Sequence, residues 1–348
     1  MKVYSVKRAM EASWLARKRL KIIKGYRGTP EEFKRVVEYW KPYGIKPRKY
    51  WYTMFCDGRD GYDPRYIPDS MWNGTILPYY NNLNWGRAYA DKCAYDHLFP
   101  YLNRPRTIVK NSCGRFYNGN FEVIDFEEAV KLCLREKRMI VKSATFSSGG
   151  RNIMVLGEED VNEANIRQIL KDYRMNFIIQ DLVEQHEALA RLNPTSLNTL
   201  RIISFYFKNE VHILSAQLRI GGSGAKVDNY SSGGFACNVC EDGRLSERAV
   251  SKAHGWATEH PNGFRFADIV VPQYQRLIKV ICEEHARLPH LNIIGWDFAI
   301  GKNGEPVFIE LNVFPGQNQN GSGPSFGDLT EEVLRDVFIE KTLKGAFE

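Results

Sequence analysis

Residues 293–312 read IIGWDFAIGKNGEPVFIELN, which is two β-branched and aromatic runs separated by a polar turn. Asn303-Gly304 predicts a hairpin, because both residues tolerate the positive φ of a type I′ turn. If they form a two-residue loop, the register places Asp297 directly opposite Glu310. Because side chains alternate between faces along a strand, Asn312 shares the face of Glu310. The opposite face is predicted to be core and consists of Trp296, Phe298, Ile300, Val307, Ile309 and Leu311.

The polar face of this hairpin predicts a divalent-metal site. Two carboxylates that face each other repel unless one is protonated or a cation bridges them. Carboxylate and amide oxygens suit magnesium, which shares its coordination shell with waters and nucleotide phosphates. We therefore predict Asp297, Glu310 and Asn312 as metal ligands. The alternative is a solvated polar face on an edge hairpin, which the apolar residues around these three disfavour.

A second candidate region is the loop Ser147-Ser148-Gly149-Gly150, preceded by Lys142 at the end of a predicted strand. Glycines let backbone amides approach phosphate oxygens, and a strand-end lysine adds a point charge. The loop does not fit the P-loop pattern, since Arg151 follows Gly150 where that pattern has Lys-Ser/Thr. Lys110, in VKNSCGRFY, is a further candidate for phosphate contact, and a surface lysine is the equal alternative.

Two arginines interrupt strands that otherwise read as buried. Arg201 and Arg219 are predicted to meet a phosphate or a substrate carboxylate, because a buried guanidinium is costly without an anion. An internal salt bridge is the alternative. The polar residues near them in the sequence are candidate substrate contacts: Asn198, Thr199, Asp228 and Asn229. His254 and His260 are read as structural or substrate-facing.

The composition describes a globular protein of 348 residues with 43% apolar side chains. No apolar run approaches the roughly 20 residues that cross a bilayer, and the N-terminus lacks the apolar stretch of a secretory signal. Seven irregularly spaced cysteines fit a reducing compartment, so we expect a cytoplasmic protein. The pair Cys237 and Cys240 has no second pair, which favours a structural role over zinc binding.

The formal charge of +7 is concentrated at the N-terminus, where residues 1–50 hold 15 Lys or Arg and 4 Asp or Glu. Apolar residues recur there at roughly helical spacing among lysines and arginines, which predicts a basic amphipathic helix. A helix packed on the protein body is one interpretation. Residues 1–27 contacting an anionic membrane surface, which would place the protein peripherally at the inner membrane face, is the other. No nucleic-acid motif accompanies the charge, so nucleic acid is not expected as a partner.

The character of the sequence changes along the chain and predicts five segments. Periodicity predicts helix, strand, glycine loop, strand, helix and strand between residues 125 and 180, followed by antiparallel strands and a helix at 271–288. This order indicates an α+β fold. The segments are 1–45, basic and helical; 46–105, an aromatic-rich connecting lobe; 106–185 and 186–330, two α+β regions; and 331–348, a final amphipathic helix.

Across residues 106–325 the sequence resembles the ATP-grasp superfamily. The resemblance rests on Lys142 with its glycine loop, the hinge Gln180-Asp181-Leu182-Val183, and the set Asp297, Glu310 and Asn312. The strings SLNTLRI, VDNYSSGG, EHPNG, IIGWDFAI and ELNVFPG further resemble the sugar-transfer-associated branch, which is named for its association with surface-polysaccharide genes.

The resemblance implies a fold in which two α+β lobes, the lid 106–185 and the C-terminal subdomain 186–330, clasp ATP with two Mg²⁺ ions, for which Mn²⁺ could substitute. Adenine would lie against the hinge at Gln180, Asp181 and Val183. Glu187 would hold the ribose, with Glu184 as the competing candidate. Phosphates would meet Lys110, Lys142 and the loop from Ser147 to Gly150.

The family's usual chemistry implies a ligase that activates a carboxylate as an acylphosphate and joins it to an amine. Arg201, Arg219 and Lys142 would serve as catalytic residues. The resemblance to the polysaccharide-associated branch suggests a uronic-acid or amino-acid unit of a surface glycan as the substrate. The alternatives are a kinase that phosphorylates a hydroxyl and a non-catalytic nucleotide-binding regulator of glycan assembly.

Overall fold

The computed structural model describes residues 28–53, 55, 63–145, 152–224, 233–251 and 254–347, together with residues 7, 10, 11, 13 and 14. Within these ranges two antiparallel sheets and their packed helices dominate, as the α+β prediction requires. The strands are β1 (Thr107–Ser112), β2 (Arg115–Asn118), β3 (Val123–Ile124), β4 (Met139–Ser143), β5 (Ile153–Leu156), β6 (Phe177–Gln180), β7 (Thr199–Phe207), β8 (Glu210–Ile220), β9 (Phe235–Val239), β10 (Leu245–Ser251), β11 (Gly255–Ala257), β12 (Glu259–His260), β13 (Phe264–Arg265), β14 (Ile293–Ile300) and β15 (Pro306–Asn312).

The helices before the first sheet are short except for the first of them, and longer helices pack against both sheets. The α-helices are α1 (Pro30–Trp40), α2 (Tyr50–Thr53), α3 (Asp69–Met71), α4 (Leu77–Tyr80), α5 (Leu83–Tyr89), α6 (Tyr95–Leu98), α7 (Phe126–Leu134), α8 (Glu163–Tyr173), α9 (Glu187–Ala190), α10 (Tyr274–His285), α11 (Gln319–Ser322) and α12 (Thr330–Arg335). A 3₁₀ turn at Lys92–Ala94 precedes α6, and a π-helical turn at Asp336–Glu340 extends α12.

The first lobe is a six-stranded sheet in the order β3-β2-β1-β6-β4-β5, covered on one face by α7 and α8. Helix α7 begins where the sequence predicts, because the Asp125 side chain accepts a hydrogen bond from the Glu128 N–H at 2.8 Å. Its apolar stripe and that of α8 are buried against Val109, Val141 and Ile179. The amphipathic patterns of these helices therefore fix which face of the sheet is covered and leave the other face for the site.

The second lobe is a seven-stranded sheet in the order β11-β10-β9-β8-β7-β14-β15. One face packs on α10 through Leu200, Ile202 and Trp296. The other carries Asp297, and we call it the front face. Since Ile203, Phe205 and Ile293 belong to a cluster with Trp40 and Trp72, the aromatic residues of the N-terminal helices cover one end of the front face.

The same cluster joins segments that the sequence analysis separates. Trp40 lies in the first predicted segment and Trp72 in the second, while Val333 and Val337 belong to the last. The divisions at residues 45 and 330 therefore do not coincide with packing boundaries. Residues 83–102 also contribute Leu102 and other side chains to the core behind the second sheet, so the connecting lobe is divided between two cores.

The two chain termini differ from their predictions. Helix α12 with its π-helical turn ends before Lys341, which has a positive φ of 56°, so the final helix is shorter than 331–348. Most of the predicted basic amphipathic helix lies outside the described residues. The described positions 7, 10, 11, 13 and 14 are helical, and α1 begins with a capping box between Thr29 and Glu32. No helix in the described part of the chain is both long and apolar enough to span a membrane.

The hairpin of β14 and β15 has the predicted register at Asp297 but a different turn. Gly301 accepts a hydrogen bond from the Gly304 N–H at 2.8 Å, and Ile300 pairs with Pro306, so the loop is longer than two residues. Gly304 has a φ of 87°, as the αL position of a three-residue loop requires. A bulge between Asp297 and Phe298 then shifts the register by one residue. The longer loop and the bulge cancel, and Asp297 pairs with Glu310.

Candidate active site

A polar row crosses the front face of the second sheet. Asn238, Gln217, Arg201, Asp297 and Glu310 are in register on β9, β8, β7, β14 and β15. Residues directly opposite one another in a sheet share a face, so the five side chains line up from one strand to the next. The sequence alone indicated only the last two as partners. Strand pairing brings the other three to the same line.

Arg201 and Asp297 form a buried bidentate ion pair at the centre of this row. Arg201 Nε and Nη2 donate to the two carboxylate oxygens at 2.5 and 2.7 Å, and the Asp297 side chain is only 6% exposed. Arg219 Nη1 lies 3.8 Å from the same carboxylate. Burial opposes ionisation, but Arg201 and Arg219 outweigh it and lower the pKa of Asp297 to about 2. For Arg201, the structure therefore has the internal salt bridge that the sequence analysis held as its alternative.

Glu310 is paired with a lysine that the sequence analysis did not single out. Lys92 Nζ lies 2.8 Å from Glu310 Oε2, and the Lys92 side chain is 8% exposed. The Lys92 backbone N–H donates to Ala144 O, which follows β4 in the first lobe. Lys92 therefore ties the metal-ligand candidate of one lobe to the sheet of the other. A lysine in an aromatic-rich segment without periodicity carries no sequence signal for this role.

Lys110 and Lys142 lie on one face of the first sheet. Both pair with Ile178, from opposite sides, so the three side chains form a row across β1, β6 and β4. Lys142 is buried. Burial and, to a smaller extent, the neighbouring Lys92 lower the pKa of Lys142 to about 8, and Glu310 opposes the shift. Glu310 and Lys92 therefore lie near enough to the Lys142 ammonium for their charges to act on it.

Lys110 is buried among charged and aromatic side chains and is not a solvent-exposed lysine. It is fully buried, its ammonium forms an ion pair with Asp96, and it lies 3.1 Å from the centroid of the Phe121 ring. Asp96 also accepts from Arg104 Nε at 2.7 Å. Burial lowers the pKa of Lys110, and Asp96 counteracts the shift. The surface-lysine alternative for Lys110 does not fit this position.

The donor set of Asp297, Glu310 and Asn312 fits a hard dication in chemistry and placement. Asn312 Nδ2 lies 3.4 Å from Asp297 Oδ2 and 3.5 Å from Glu310 Oε1, so the three side chains converge. Each carboxylate has lone pairs beyond those that Arg201 and Lys92 occupy, and the amide has an oxygen end. Among the described residues there is no cluster of three or more His, Cys, Asp or Glu side chains that could hold a metal. An Asp-Glu-Asn set therefore depends on water and phosphate for its remaining ligands.

The predicted hinge connects the lobes after β6. Gln180 Nε2 donates to Pro105 O at 3.3 Å, and the Asp181 carboxylate accepts from Arg106. Val183 is half-buried in the segment that follows β6. The two ribose candidates differ in their surroundings: Glu184 pairs with Arg138 and Lys302, whereas Glu187 is exposed in the first turn of α9.

The remaining substrate candidates divide into three kinds. Thr199 lies on the front face directly opposite Arg219. Asn198 is fully buried instead: its amide nitrogen donates to Leu189 O at 2.9 Å, and its oxygen accepts from the Gly221 N–H. This bonding gives Asn198 a structural position under the strand. The predicted sites that lie outside the described residues are Ser147, Ser148, Gly149, Gly150, Asp228 and Asn229.

The histidines and cysteines that the sequence analysis considered differ in burial: His260 and Cys237 are buried, whereas His254 and Cys240 are exposed. His260 is buried with Nε2 3.0 Å from Gly221 O, and burial lowers its pKa. The His254 ring stacks on Phe235 with 5.5 Å between centroids. Burial raises the pKa of the Cys237 thiol to about 12, so it is poorly suited to bind metal.

Comparison with known families agrees with the fold. The sequence model of the sugar-transfer associated ATP-grasp family matches residues 79–323, more than half of the chain. The protein therefore belongs to this family and has the ATP-grasp fold. The match begins earlier than residue 106, where the resemblance in the sequence was recognised, and it takes in Lys92 and Asp96. A comparison with curated proteins finds no match.

Several solved structures are similar to parts of this chain. The ATP-grasp ligase PsnB complexed with its minimal precursor has 14% sequence identity and a TM-score of 0.39, with 73% of this chain and 63% of that chain covered. D-alanyl-alanine synthetase A from Vibrio cholerae has 14% identity, coverage of 79% and 67%, and a TM-score of 0.40. The biotin carboxylase domain of the Hydrogenobacter thermophilus 2-oxoglutarate carboxylase, complexed with MgADP, has 13% identity, coverage of 74% and 47%, and a TM-score of 0.45. The chain thus spans about half to two thirds of these structures.

Proposed function

We propose that this protein is an ATP-dependent ligase that activates a carboxylate as an acylphosphate and joins it to an amine. The observation that carries the proposal is the meeting of two charged sets from different lobes. Asp297 and Glu310 project from the second sheet, and Lys142 from the first, with Lys92 bound to Glu310 between them. Anionic ligands for magnesium beside cations for phosphate are the requirements of phosphoryl transfer.

We assign the site residues that the structure describes the following roles in this reaction. In this proposal Asp297, Glu310 and Asn312 hold two magnesium ions. ATP bound to these ions would supply the phosphoryl group. Lys142 presents a positive charge from the lid sheet. The Arg219 side chain is 27% exposed and would hold the substrate carboxylate. Arg201 is 10% exposed and fixes the orientation of the Asp297 carboxylate through two hydrogen bonds.

The substrate in this proposal is a uronic-acid or amino-acid unit of a surface polysaccharide or its precursor. Membership of a family described as sugar-transfer associated supports a glycan. Adenine would lie along residues 180–183, with the ribose at Glu187, since Glu184 already has two cationic partners. The loop from Ser147 to Gly150 would cover the phosphates.

ADP release in the presence of uronic-acid glycosides and candidate amines tests the reaction. We expect free phosphate and a new amide, whereas phosphate retained on the acceptor would identify a kinase and overturn the ligase proposal. Substituting Asp297→Asn together with Glu310→Gln should abolish ATP turnover, because both metal ligands lose their charge. The matched control is Asp242→Asn with Glu283→Gln, which removes the same charge from exposed ion pairs. Turnover that persists in the first double variant would refute the metal assignment.

We further propose that residues 1–27 bring the enzyme to an anionic membrane surface. The segment's basic and aromatic composition supports this proposal, and Met10 and Trp14 are exposed at 68% and 55%. Deleting residues 1–27 should remove binding to vesicles that contain anionic lipid. Neutral vesicles are the control, and unchanged binding of the deletion variant to anionic vesicles would exclude this role.

A further inference from the structure

Gly295 is a position without a side chain on the front face, next to the metal-ligand candidates. It lies two residues before Asp297 on β14, so a side chain at this position would project from the front face. A Cβ added to Gly295 would lie 2.8 Å from Pro315 Cβ and 3.2 Å from Asn312 Cβ. Both distances are shorter than the separation of about 3.5–4.0 Å at which carbon atoms pack. A residue with a Cβ therefore fits here only if these neighbours move.

This close approach explains how Asn312 reaches Asp297. Gly295 and Asn312 are directly opposite each other on β14 and β15. Two side chains in that relation normally keep their Cβ atoms about 4.5–5.5 Å apart, so Asn312 lies closer to β14 than a side chain at position 295 would allow. The Asn312 amide nitrogen is 3.4 Å from Asp297 Oδ2. The missing side chain at Gly295 thus lets the amide on β15 approach the carboxylate on β14.

Pro315 packs directly on Gly295 and is bonded to the N-terminal part of the chain. Pro315 is buried, three residues after the last metal-ligand candidate. Its carbonyl oxygen accepts a hydrogen bond from Trp72 Nε1 at 2.8 Å, and the Trp72 side chain is fully buried. Trp72 precedes residues 79–323, which match the family model. A residue outside the matched region therefore fixes the segment that follows β15.

We propose that Gly295 and Trp72 are positioning residues for the metal site. Gly295 leaves room for Asn312 and Pro315 to lie against β14, and Trp72 holds Pro315 there through its carbonyl oxygen. Together they keep the Asn312 side chain beside the two carboxylates, so the donor set is arranged before a magnesium ion binds. This inference rests on the metal assignment in the proposed function and deepens it by naming residues that act through Asn312.

The test compares ATP affinity with and without metal, and it needs no turnover. Isothermal titration of ATP into the full chain, once with excess Mn²⁺ and once with EDTA, measures how much the metal strengthens binding. We expect Gly295→Ala to reduce this metal-dependent gain by at least about tenfold, because the added Cβ displaces Asn312, and to leave the affinity in EDTA unchanged. Trp72→Phe keeps an aromatic ring but loses the donor to Pro315, and it should reduce the gain about fivefold.

Matched controls separate a role at the metal site from a general loss of stability. Gly243→Ala also adds a crowded Cβ, 2.9 Å from Tyr274 Cβ, but it lies in the turn between β9 and β10. Trp40→Phe removes a buried indole donor that bonds to Pro64 O at 3.0 Å, in the same core cluster as Trp72. Both control variants should lower Tm and leave the metal-dependent gain unchanged.

A second substitution tests the close contact itself. Pro315→Gly added to Gly295→Ala should restore part of the gain, since it removes the nearest carbon atom. Circular dichroism verifies folding, and if Gly295→Ala does not fold, Trp72→Phe against Trp40→Phe decides the inference. Equal gains in Gly295→Ala and Gly243→Ala, or in the two tryptophan variants, would overturn the positioning role and leave the proposed function intact. Equal wild-type affinity in Mn²⁺ and EDTA would overturn the metal assignment and this inference with it.

Discussion

At the scale of single residues, the ion pair of Arg201 and Asp297 combines two roles in one contact. Both members are nearly buried, so each charge depends on the other for compensation. The same bonds fix the orientation of a carboxylate that we propose as a metal ligand. A site built from strand residues in this way is rigid, because the pairing of β7 with β14 determines the positions of both backbones.

The pair predicts an asymmetric response to mutation. Arg201→Met should destabilise the protein by about 3–5 kcal/mol, because it leaves a buried carboxylate with only the more distant Arg219 nearby. Adding Asp297→Leu should recover much of the loss, since no unpaired charge remains. Urea unfolding measures both values. A double variant less stable than Arg201→Met alone would contradict this account.

Lys142 predicts a pH dependence of nucleotide binding. Its pKa in the free protein is about 8, and a phosphate group favours its charged form. Below pH 8 the ammonium is already present. Above pH 8 a proton must be taken up on binding, so affinity should fall by up to about tenfold per pH unit until the pKa of the complex is reached.

Isothermal titration of ATP between pH 7 and 9.5, with EDTA to exclude metal, would measure this decline. Lys142→Arg is the matched control, because a guanidinium stays charged throughout that range and should give a nearly flat profile. If the wild type and Lys142→Arg show the same pH dependence, Lys142 does not contact the nucleotide.

At the scale of secondary-structure elements, the hairpin of β14 and β15 shows how a correct register can follow from an incomplete account of the turn. With a two-residue loop at Asn303-Gly304, the hairpin is predicted to place Asp297 opposite Glu310. The loop has one residue more, and the bulge beside Phe298 compensates for it. A bulge leaves little local sequence signal, because packing on both sides of the strand decides where the extra residue is accommodated.

The loop itself depends on Gly304. Gly304→Ala should cost about 1–2 kcal/mol, because its φ of 87° disfavours any residue with a Cβ. The nearest atom to that Cβ, at 3.6 Å on Gln273, would not clash, so the cost is conformational. Gly316→Ala is the control, since its φ is not positive and no atom lies within 4 Å of the added Cβ. Equal unfolding midpoints for the two variants would show that the turn does not require glycine.

At the scale of the whole molecule, helix α4 contacts the π-helical turn that follows α12, next to the cluster on the front face. The Tyr79 and Tyr80 hydroxyls donate to the two Asp336 carboxylate oxygens at 2.7 and 2.8 Å. Behind these bonds lies the cluster that contains Trp72, Phe205 and Val333. The second lobe is therefore completed by segments more than 250 residues apart, as the separation of Tyr80 from Asp336 illustrates.

This junction predicts a strong effect of a substitution far from the proposed site. Asp336→Ala should destabilise the protein by about 2–3 kcal/mol, because the buried Tyr80 hydroxyl loses its charged acceptor. Glu340→Ala, an exposed position in the same π-helical turn, is the control and should have little effect. Thermal unfolding of both variants would test the prediction. Similar values of Tm would show that the junction contributes little.

The sequence by itself determined the α+β fold and the start of α7 at the Asp125 cap, because these depend on local periodicity and neighbouring residues. The pairing of Asp297 with Glu310 was also predicted correctly, although the longer loop and the bulge that compensates for it were not. Only the tertiary structure decided that Arg201 pairs with Asp297, that Lys92 reaches Glu310, and that Trp72 donates to Pro315. These contacts join residues from strands and lobes that are far apart in the chain. Which strands become neighbours follows from the burial of whole faces, and no short segment of sequence carries that information.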